Sequence, residues 1–183
     1  MPVLMKDYMD DEQFALFTIY ANQSDNTEDN YRRAEVVGLG GRKVRIMPGA
    51  IVRVKDPSKI GSNVAFGLYT YTNGDVTVGD NVLIGPHTTI AAGNHKFDPA
   101  TGWFSGRTEQ DRDDSIVIGT GTWIASNVTV TGGVKIGKAN LICAGAVVTK
   151  STADYAIMAG APAKQIGHID PVTGEYIWHK DKK

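Results

Sequence analysis

Four histidines and one cysteine are the side chains of this 183-residue sequence that can exchange a proton or act as a nucleophile near neutral pH. His95 stands directly before a twenty-residue stretch, Lys96 to Ser115, that carries Phe97, Trp103 and Phe104 among Gly, Asp and Arg residues. An imidazole with a pKa near about 6.5 is mostly neutral at cytoplasmic pH and can take a proton from a hydroxyl or an amine. Long segments without structure of their own are uncommon in compact domains and are usually functional or disordered. Three aromatics argue for a loop that folds onto something and covers a site. His95 is therefore the candidate general base. His87 follows Pro86 and reads as an exposed corner, and His168 and His179 lie near the C-terminus and suggest no chemistry.

The elements that must hold His95 in place follow from a six-residue period. From Ile46 to Asn94 a pair of aliphatic or small residues, two apart, recurs as Val52/Val54, Ser58/Ile60, Val64/Phe66, Val76/Val78, Val82/Ile84 and Thr88/Ile90. The frame breaks at Lys96 and returns after Ser115 as Ile116/Ile118, Thr122/Ile124, Val128/Val130, Val134/Ile136, Asn140/Ile142 and Ala146/Val148. Residues two apart share one face of a strand, so each pair predicts a very short strand with two side chains inward. Gly61, Gly79, Gly85, Gly119 and Gly137 follow the second aliphatic, and Asp80-Asn81, Pro86-His87 and Gly132-Gly133 supply turn residues at the corners. Such hexads predict an all-β parallel β-helix whose stacked coils bury one continuous core. Three hexads per coil make a triangular prism of about five coils.

In this register the residue before each second aliphatic faces outward, as at Leu83, His95, Trp123, Leu141 and Val147. An outward Leu, Trp, Leu and Val would form an exposed apolar patch that monomers seldom tolerate. Identical prisms around a three-fold axis are the simplest way to cover it. Cys143 follows Ile142 in a slot usually held by Gly, inside the wall and away from His95. It lacks the electropositive, partly exposed setting of an acyl-enzyme nucleophile. As the single cysteine it excludes an internal disulfide and a thiolate metal cluster within one chain.

The formal net charge is -1, with no dense basic cluster, which argues against nucleic acid as a partner. No basic-then-apolar leader and no apolar stretch of spanning length is present, so a cytoplasmic protein without a membrane span is expected. We read residues 1–183 as one domain: a cap over 1–41, coils over 42–95 and 116–153, the excursion loop 96–115 and a tail over 154–183. Asp10 to Leu16 could open a short helix in the cap. Ile169 to Ile177 predicts a β-hairpin turning around Pro171 to Gly174.

Five segments carry a resemblance. They are Thr77-Val78-Gly79-Asp80-Asn81-Val82-Leu83-Ile84-Gly85-Pro86, Gly93-Asn94-His95, Ile118-Gly119-Thr120-Gly121-Thr122-Trp123-Ile124-Ala125-Ser126, Ala144-Gly145-Ala146-Val147-Val148-Thr149-Lys150 and Ala159-Gly160-Ala161-Pro162-Ala163-Lys164. In this order they resemble the hexapeptide acyltransferases, in particular the galactoside, maltose, polysaccharide and streptogramin O-acetyltransferases. The resemblance implies a left-handed parallel β-helix, a homotrimer with sites between neighbouring prisms, and acetyl-CoA as co-substrate with no metal. It also implies His95 as general base, Trp123 and Ala144 along the pantetheine arm, and the Ser126 N–H facing the thioester oxygen. Thr149, Lys150 and Lys164 would meet the nucleotide end. An acceptor hydroxyl would give its proton to His95 and attack the thioester directly, with no covalent enzyme intermediate.

Two departures bear on the acceptor. The galactoside enzymes present an Asn and an Asp to the sugar where this chain has Ala65 and Asn73. The loop is longer, and its Arg107-Thr108-Glu109-Gln110 is similar to the polysaccharide O-acetyltransferases, with Glu109 and Gln110 both open as the residue that orients His95. Asn73, Asn94, Trp103 and Gln110 are the candidate acceptor contacts. The expected acceptor is a carbohydrate hydroxyl destined for a surface polysaccharide such as lipopolysaccharide. N-acetylation of an amino-sugar nucleotide and a streptogramin-type reaction are the alternatives. A zinc-dependent carbonic anhydrase on the same solenoid needs three histidine ligands, and the solenoid here holds only His87 and His95.

Overall fold

The computed structural model describes residues 10–13, 23–104 and 113–179. Its strands are short because each hexad allows only a few extended residues before the chain must turn. Face one is built from β1 (Arg45–Ile46), β3 (Ala65–Phe66), β6 (Leu83–Ile84), β11 (Trp123–Ile124), β14 (Leu141–Ile142) and β16 (Ala156–Ala159), all parallel. Face two stacks β2 (Ile51–Val54), β4 (Tyr71–Gly74), β7 (Thr89–Ala91), β12 (Thr129–Val130) and β15 (Val147–Val148). Face three stacks β5 (Val76–Val78), β10 (Ile116–Ile118) and β13 (Lys135–Ile136). This is the expected left-handed parallel β-helix, with about six turns rather than five. The sixth rung is β16, which lies in the stretch that the sequence assigns to the tail.

Stacking in register puts like side chains above one another. On face one Ile46, Phe66, Ile84, Ile124, Ile142 and Met158 form an inward column, and Arg45, Ala65, Leu83, Trp123, Leu141 and Ile157 form the outward row. The pair Ser58/Ile60 departs from the pattern. Pro57–Lys59 is a single 3₁₀ turn capped by Asp56, and Ile60 alone reaches the wall as an isolated bridge to Val78. Pro at the first turn position removes a donor that a ladder would need.

The glycines after each second aliphatic have a different cause from the one the sequence suggests. Gly61, Gly79, Gly119 and Gly137 are not in the left-handed region. A Cβ on Gly119 would lie 2.5 Å from the carbonyl carbon of Gly137, and one on Gly137 would lie 2.5 Å from that of Ala153. These residues are small because the next coil passes directly over them. The left-handed corners are instead held mostly by larger residues: Asn63, Tyr69, Asn81, His87, Asn127, Ala139 and Tyr155, with φ between 50° and 60°. Each is pinned by a backbone bond to the coil below, as in Asn81 N to Ser62 O at 2.9 Å and Asn127 N to Pro86 O at 2.9 Å.

The interior is not purely apolar. Asn140 occupies an inward slot and is fully used: its amide donates to Lys138 O (3.1 Å) and Ala153 O (2.9 Å), and its oxygen accepts from Thr152 Oγ1 (2.8 Å). Thr122 Oγ1 donates to Gly137 O at 3.0 Å. Thr70 and Thr72 form a further inward pair, buried like the aliphatic pairs, yet neither hydroxyl has a hydrogen-bond partner.

The first coil is closed by α1 (Thr27–Val36), capped by Asn26, whose side chain accepts from Asp29 N. Arg33 ties it to the prism through Nε to Ile46 O (2.7 Å), and burial lowers its pKa against the pull of Asp29 and Asp25. Residues 11–13 are helical as expected, and Phe14 to Leu16 lie outside the described residues. At the far end β17 (Lys164–Ile169) and β18 (Tyr176–Trp178) add antiparallel to face one, forming the expected hairpin. The loop after His95 carries its own small antiparallel pair, β8 (Phe97–Asp98) and β9 (Trp103–Phe104).

Two stability measurements check this account. Thr72→Val removes a buried, unsatisfied hydroxyl at constant shape and is expected to raise the unfolding free energy by about 1 kcal/mol. Gly119→Ala forces a methyl into the backbone of the next coil and is expected to cost about 3 kcal/mol or more. Denaturant unfolding monitored by circular dichroism reads both, and a neutral Gly119→Ala would overturn the close-approach explanation.

Candidate active site

His95 lies on the edge between faces two and three, where β7 ends and the chain leaves the prism. It is solvent-exposed. The exit is made at Gly93, at φ 126°, a conformation open to glycine. The chain re-enters at Asp113 to Ser115, and the two stems are joined by Asn94 Nδ2 donating to Asp114 Oδ1 at 3.0 Å. Gly133 N donates to Asp114 O (3.0 Å), which fastens the returning stem to the coil above. Ser115 N donates to Asp113 Oδ1 (2.9 Å), and the Ser115 side-chain and backbone bonds hold the Asp113 carboxyl below its ordinary pKa. His95 is thus anchored by its neighbours on both stems. Asn94, a candidate acceptor contact, spends its side-chain amide on this clamp.

Thr149 and Lys150 are exposed on the same edge at the end of β15. Asn73 lies on face two, half-buried between Arg53 and Ala91 in register, and its carbonyl accepts from Ala92 N at 2.9 Å. The other candidates stand elsewhere. Ser126 and Ala144 are at the edge between faces one and two, and Gly85 lets the Ser126 corner approach closely: a Cβ there would be 2.7 Å from Ser126 N. Lys164 begins β17 beside Ala159, after residues 160–163 cross the end of β15 through Ala163 N to Val147 O (2.8 Å). Trp123 projects from face one between Leu83 and Leu141, 49% exposed.

One chain therefore gathers two groups, not one. His95, Thr149 and Lys150 share one edge. Ser126, Ala144, Lys164 and Trp123 lie at or beyond the other, across a hexad of face two that spans roughly 15 Å or more. In the loop Phe97 and Phe104 pack edge to face at 5.6 Å, and Trp103 is 66% exposed. Arg107, Glu109 and Gln110 lie outside the described residues.

Face one holds a cavity of about 300 Å³ whose lining includes Arg45, Met47, Ala65, Leu83, Pro86 and Trp123. Arg45 stands just before Ile46, where the recognised hexads begin, and is not among the sequence candidates. The rule that picks Leu83 and Trp123, the residue before the second inward aliphatic, reaches Arg45 when extended back one coil. His87 is exposed as expected but stacks on Tyr69, with ring centres 5.3 Å apart and planes at 15°. Burial raises the Cys143 thiol above its ordinary pKa, which keeps it protonated and poorly nucleophilic at neutral pH.

Comparison with known proteins agrees with this architecture. Residues 57–92 match the bacterial transferase hexapeptide (six repeats) family. The galactoside O-acetyltransferase of Escherichia coli K12 is 33% identical over 131 residues, 67% of this chain and 62% of that protein. The galactoside O-acetyltransferase of Lactococcus lactis is 32% identical over 56% of this chain and 51% of its own length. The chain thus spans between half and two thirds of the length of these two relatives. Among solved structures, a maltose O-acetyltransferase from Clostridium difficile 630 is similar with a TM-score of 0.55 and 26% identity, covering 87% of this chain and 86% of that one. The chain therefore resembles the hexapeptide-repeat O-acetyltransferases in sequence as well as in fold.

The stem clamp has a direct check. Asp114→Ala is expected to leave the solenoid folded while tryptic cleavage at Lys96 quickens several-fold, because the stem loses a bond that limits local opening. Cleavage at the parent rate would show that the clamp does not restrain the loop.

Proposed function

We propose that this protein is an acetyl-CoA-dependent O-acetyltransferase that moves an acetyl group to a hydroxyl of a sugar or polysaccharide precursor. The observation that carries the reading is His95 itself. It is an exposed imidazole on a prism edge, with its neighbour Asn94 clamped to Asp114, in a chain similar to galactoside O-acetyltransferases. In this reading the acceptor hydroxyl passes its proton to His95 as its oxygen attacks the thioester carbonyl. The Ser126 N–H faces the oxygen that becomes negative, a contact typically worth about 3 kcal/mol. The C–S bond then breaks, the proton on His95 passes to the leaving sulfur, and the products are the acetyl ester and free CoA. Trp123 and Ala144 line the pantetheine arm, and Thr149, Lys150 and Lys164 offset the phosphates.

Assembly belongs to the same proposal. The two groups of residues stand on opposite edges of face two, so a site that uses both is completed by a second prism. The outward row Leu83, Trp123 and Leu141, with Leu83 47% and Trp123 49% exposed, supplies an apolar surface for that contact. We read the assembly as a homotrimer, working in the cytoplasm on precursors of a surface polysaccharide such as lipopolysaccharide. Among the described residues no helix is long and apolar enough to cross a membrane.

His95→Ala is expected to lower acetyl transfer by about 10²- to 10⁴-fold with acetyl-CoA affinity little changed. Thiol release with a panel of sugars, amino sugars and nucleotide-linked sugars, followed by location of the acetyl group by NMR, reads both rate and acceptor. Near-parent turnover in the variant removes His95 from the chemistry, and acetylation of amines alone replaces O-transfer by N-transfer. Light scattering is expected to give three times the chain mass. A monomer that remains active would overturn the shared site.

A further inference from the structure

We propose that the cavity on face one binds a sugar carrying an oxyanion, a carboxylate or a phosphate, and that Arg45 is the residue that selects it. Identifying this sugar as the acceptor rests on the acetyl-transfer reading; its binding does not. Arg45 projects outward from the first rung of face one, half-buried, and its guanidinium makes no hydrogen bond or ion pair with any described residue. The nearby arginines differ. Arg33 donates to Ile46 O, Ser24 O and Asn30, and Arg42 donates to Pro57 O and Ile60 O. A guanidinium stays charged at every physiological pH and carries five donors in a planar fork suited to a two-oxygen acceptor. A partly desolvated cation of this kind gains most from an anion that arrives with the ligand.

The surroundings favour a sugar with one charged end. Met47, Ala65, Leu83 and Pro86 give the cavity an apolar wall beside Arg45, and its volume of about 300 Å³ admits a monosaccharide ring. Among the described residues Asp25 is the one carboxylate in the lining, and it has partners of its own. Its Oδ1 accepts from Asn30 Nδ2 at 3.0 Å, and it lies in the field of Arg33. The lining thus holds one carboxylate that already has a donor and a neighbouring cation, and one guanidinium that no described group meets. Arg45 also lies five rung spacings from β16, roughly 24 Å along the axis, at the opposite end from Thr149, Lys150 and Lys164. The anion it meets is thus separate from the phosphates assigned to that end.

Equilibrium binding to the full chain, read by Trp fluorescence and calorimetry, tests this with glucose 1-phosphate, glucuronate and glucose. The charged sugars are expected to bind about tenfold or more tightly than glucose, and the tighter of the two identifies the oxyanion. Arg45→Met should abolish that preference and leave glucose binding unchanged, while Arg45→Lys, the variant least able to disturb folding, should retain part of it. Equal affinity for all three sugars, no binding at millimolar concentration, or a preference that survives Arg45→Met overturns the proposal. Displacement of the charged sugar by CoA would assign the cavity to the co-substrate and overturn it as well. Thiol release is measured separately: charged-sugar binding without any acetyl transfer sinks the enzymatic reading alone.

Discussion

The spacing between coils is the constraint on which the rest of this structure depends. Parallel rungs sit about 4.8 Å apart, and at the corners after each second aliphatic this leaves less room than a methyl group needs. A Cβ on Gly61, Gly79, Gly119 or Gly137 would come within 2.5–2.7 Å of backbone atoms in the next coil. Such contacts are with main chain, not with a side chain that can swing away. The column at the next edge relaxes the rule as it rises: Gly67 and Gly85 give way to Ala125 and Cys143, in the same hydrogen-bonded position. Cys143 is therefore a wall residue by position, and its partial burial follows.

With the backbone so tightly stacked, polar groups inside the prism have few places to find partners. Asn140, Thr122 and Thr152 solve this by bonding one another and the carbonyls of Gly137, Lys138 and Ala153, which ties three consecutive segments at one edge. The hydroxyls of Thr70 and Thr72 have no such neighbours. The difference lies in what stands within reach, since Thr70, Thr72, Thr122 and Asn140 are all buried in inward slots. The hexad rule therefore predicts where a side chain points and says little about whether its polar atoms are satisfied.

The same stacking governs the proposed chemistry. A residue on an edge is held by the coils above and below it, so the anchored stems around His95 give an exposed imidazole a fixed origin without burying it. Edges are also the places where neighbouring prisms can meet, which suits a reaction with two substrates approaching from opposite directions. The apolar row on face one and the cavity beside Arg45 lie on the surface that such a neighbour would approach.

The period by itself determined the fold class and most of the inward and outward sets, because side-chain direction in a strand alternates strictly and needs no knowledge of distant residues, while local turn residues announced the exposed corner at His87 and the C-terminal hairpin. Likewise, the position of His95 at the mouth of the excursion was legible from the break in frame at Lys96. Tertiary structure alone decided the rest. It added the sixth rung at Ala156–Ala159, replaced the pair at Ser58/Ile60 by a 3₁₀ turn, and showed that the corner glycines answer to close approach between coils. It turned Asn94 into a stem clamp and left Phe97, Trp103 and Phe104 exposed. It also placed Arg45, with no hydrogen bond or ion pair to any described residue, in a cavity whose lining runs along the chain from Asp25 to Trp123. Each of these depends on which atoms from other coils stand within a few ångströms, and a linear pattern of residue types does not contain that distance.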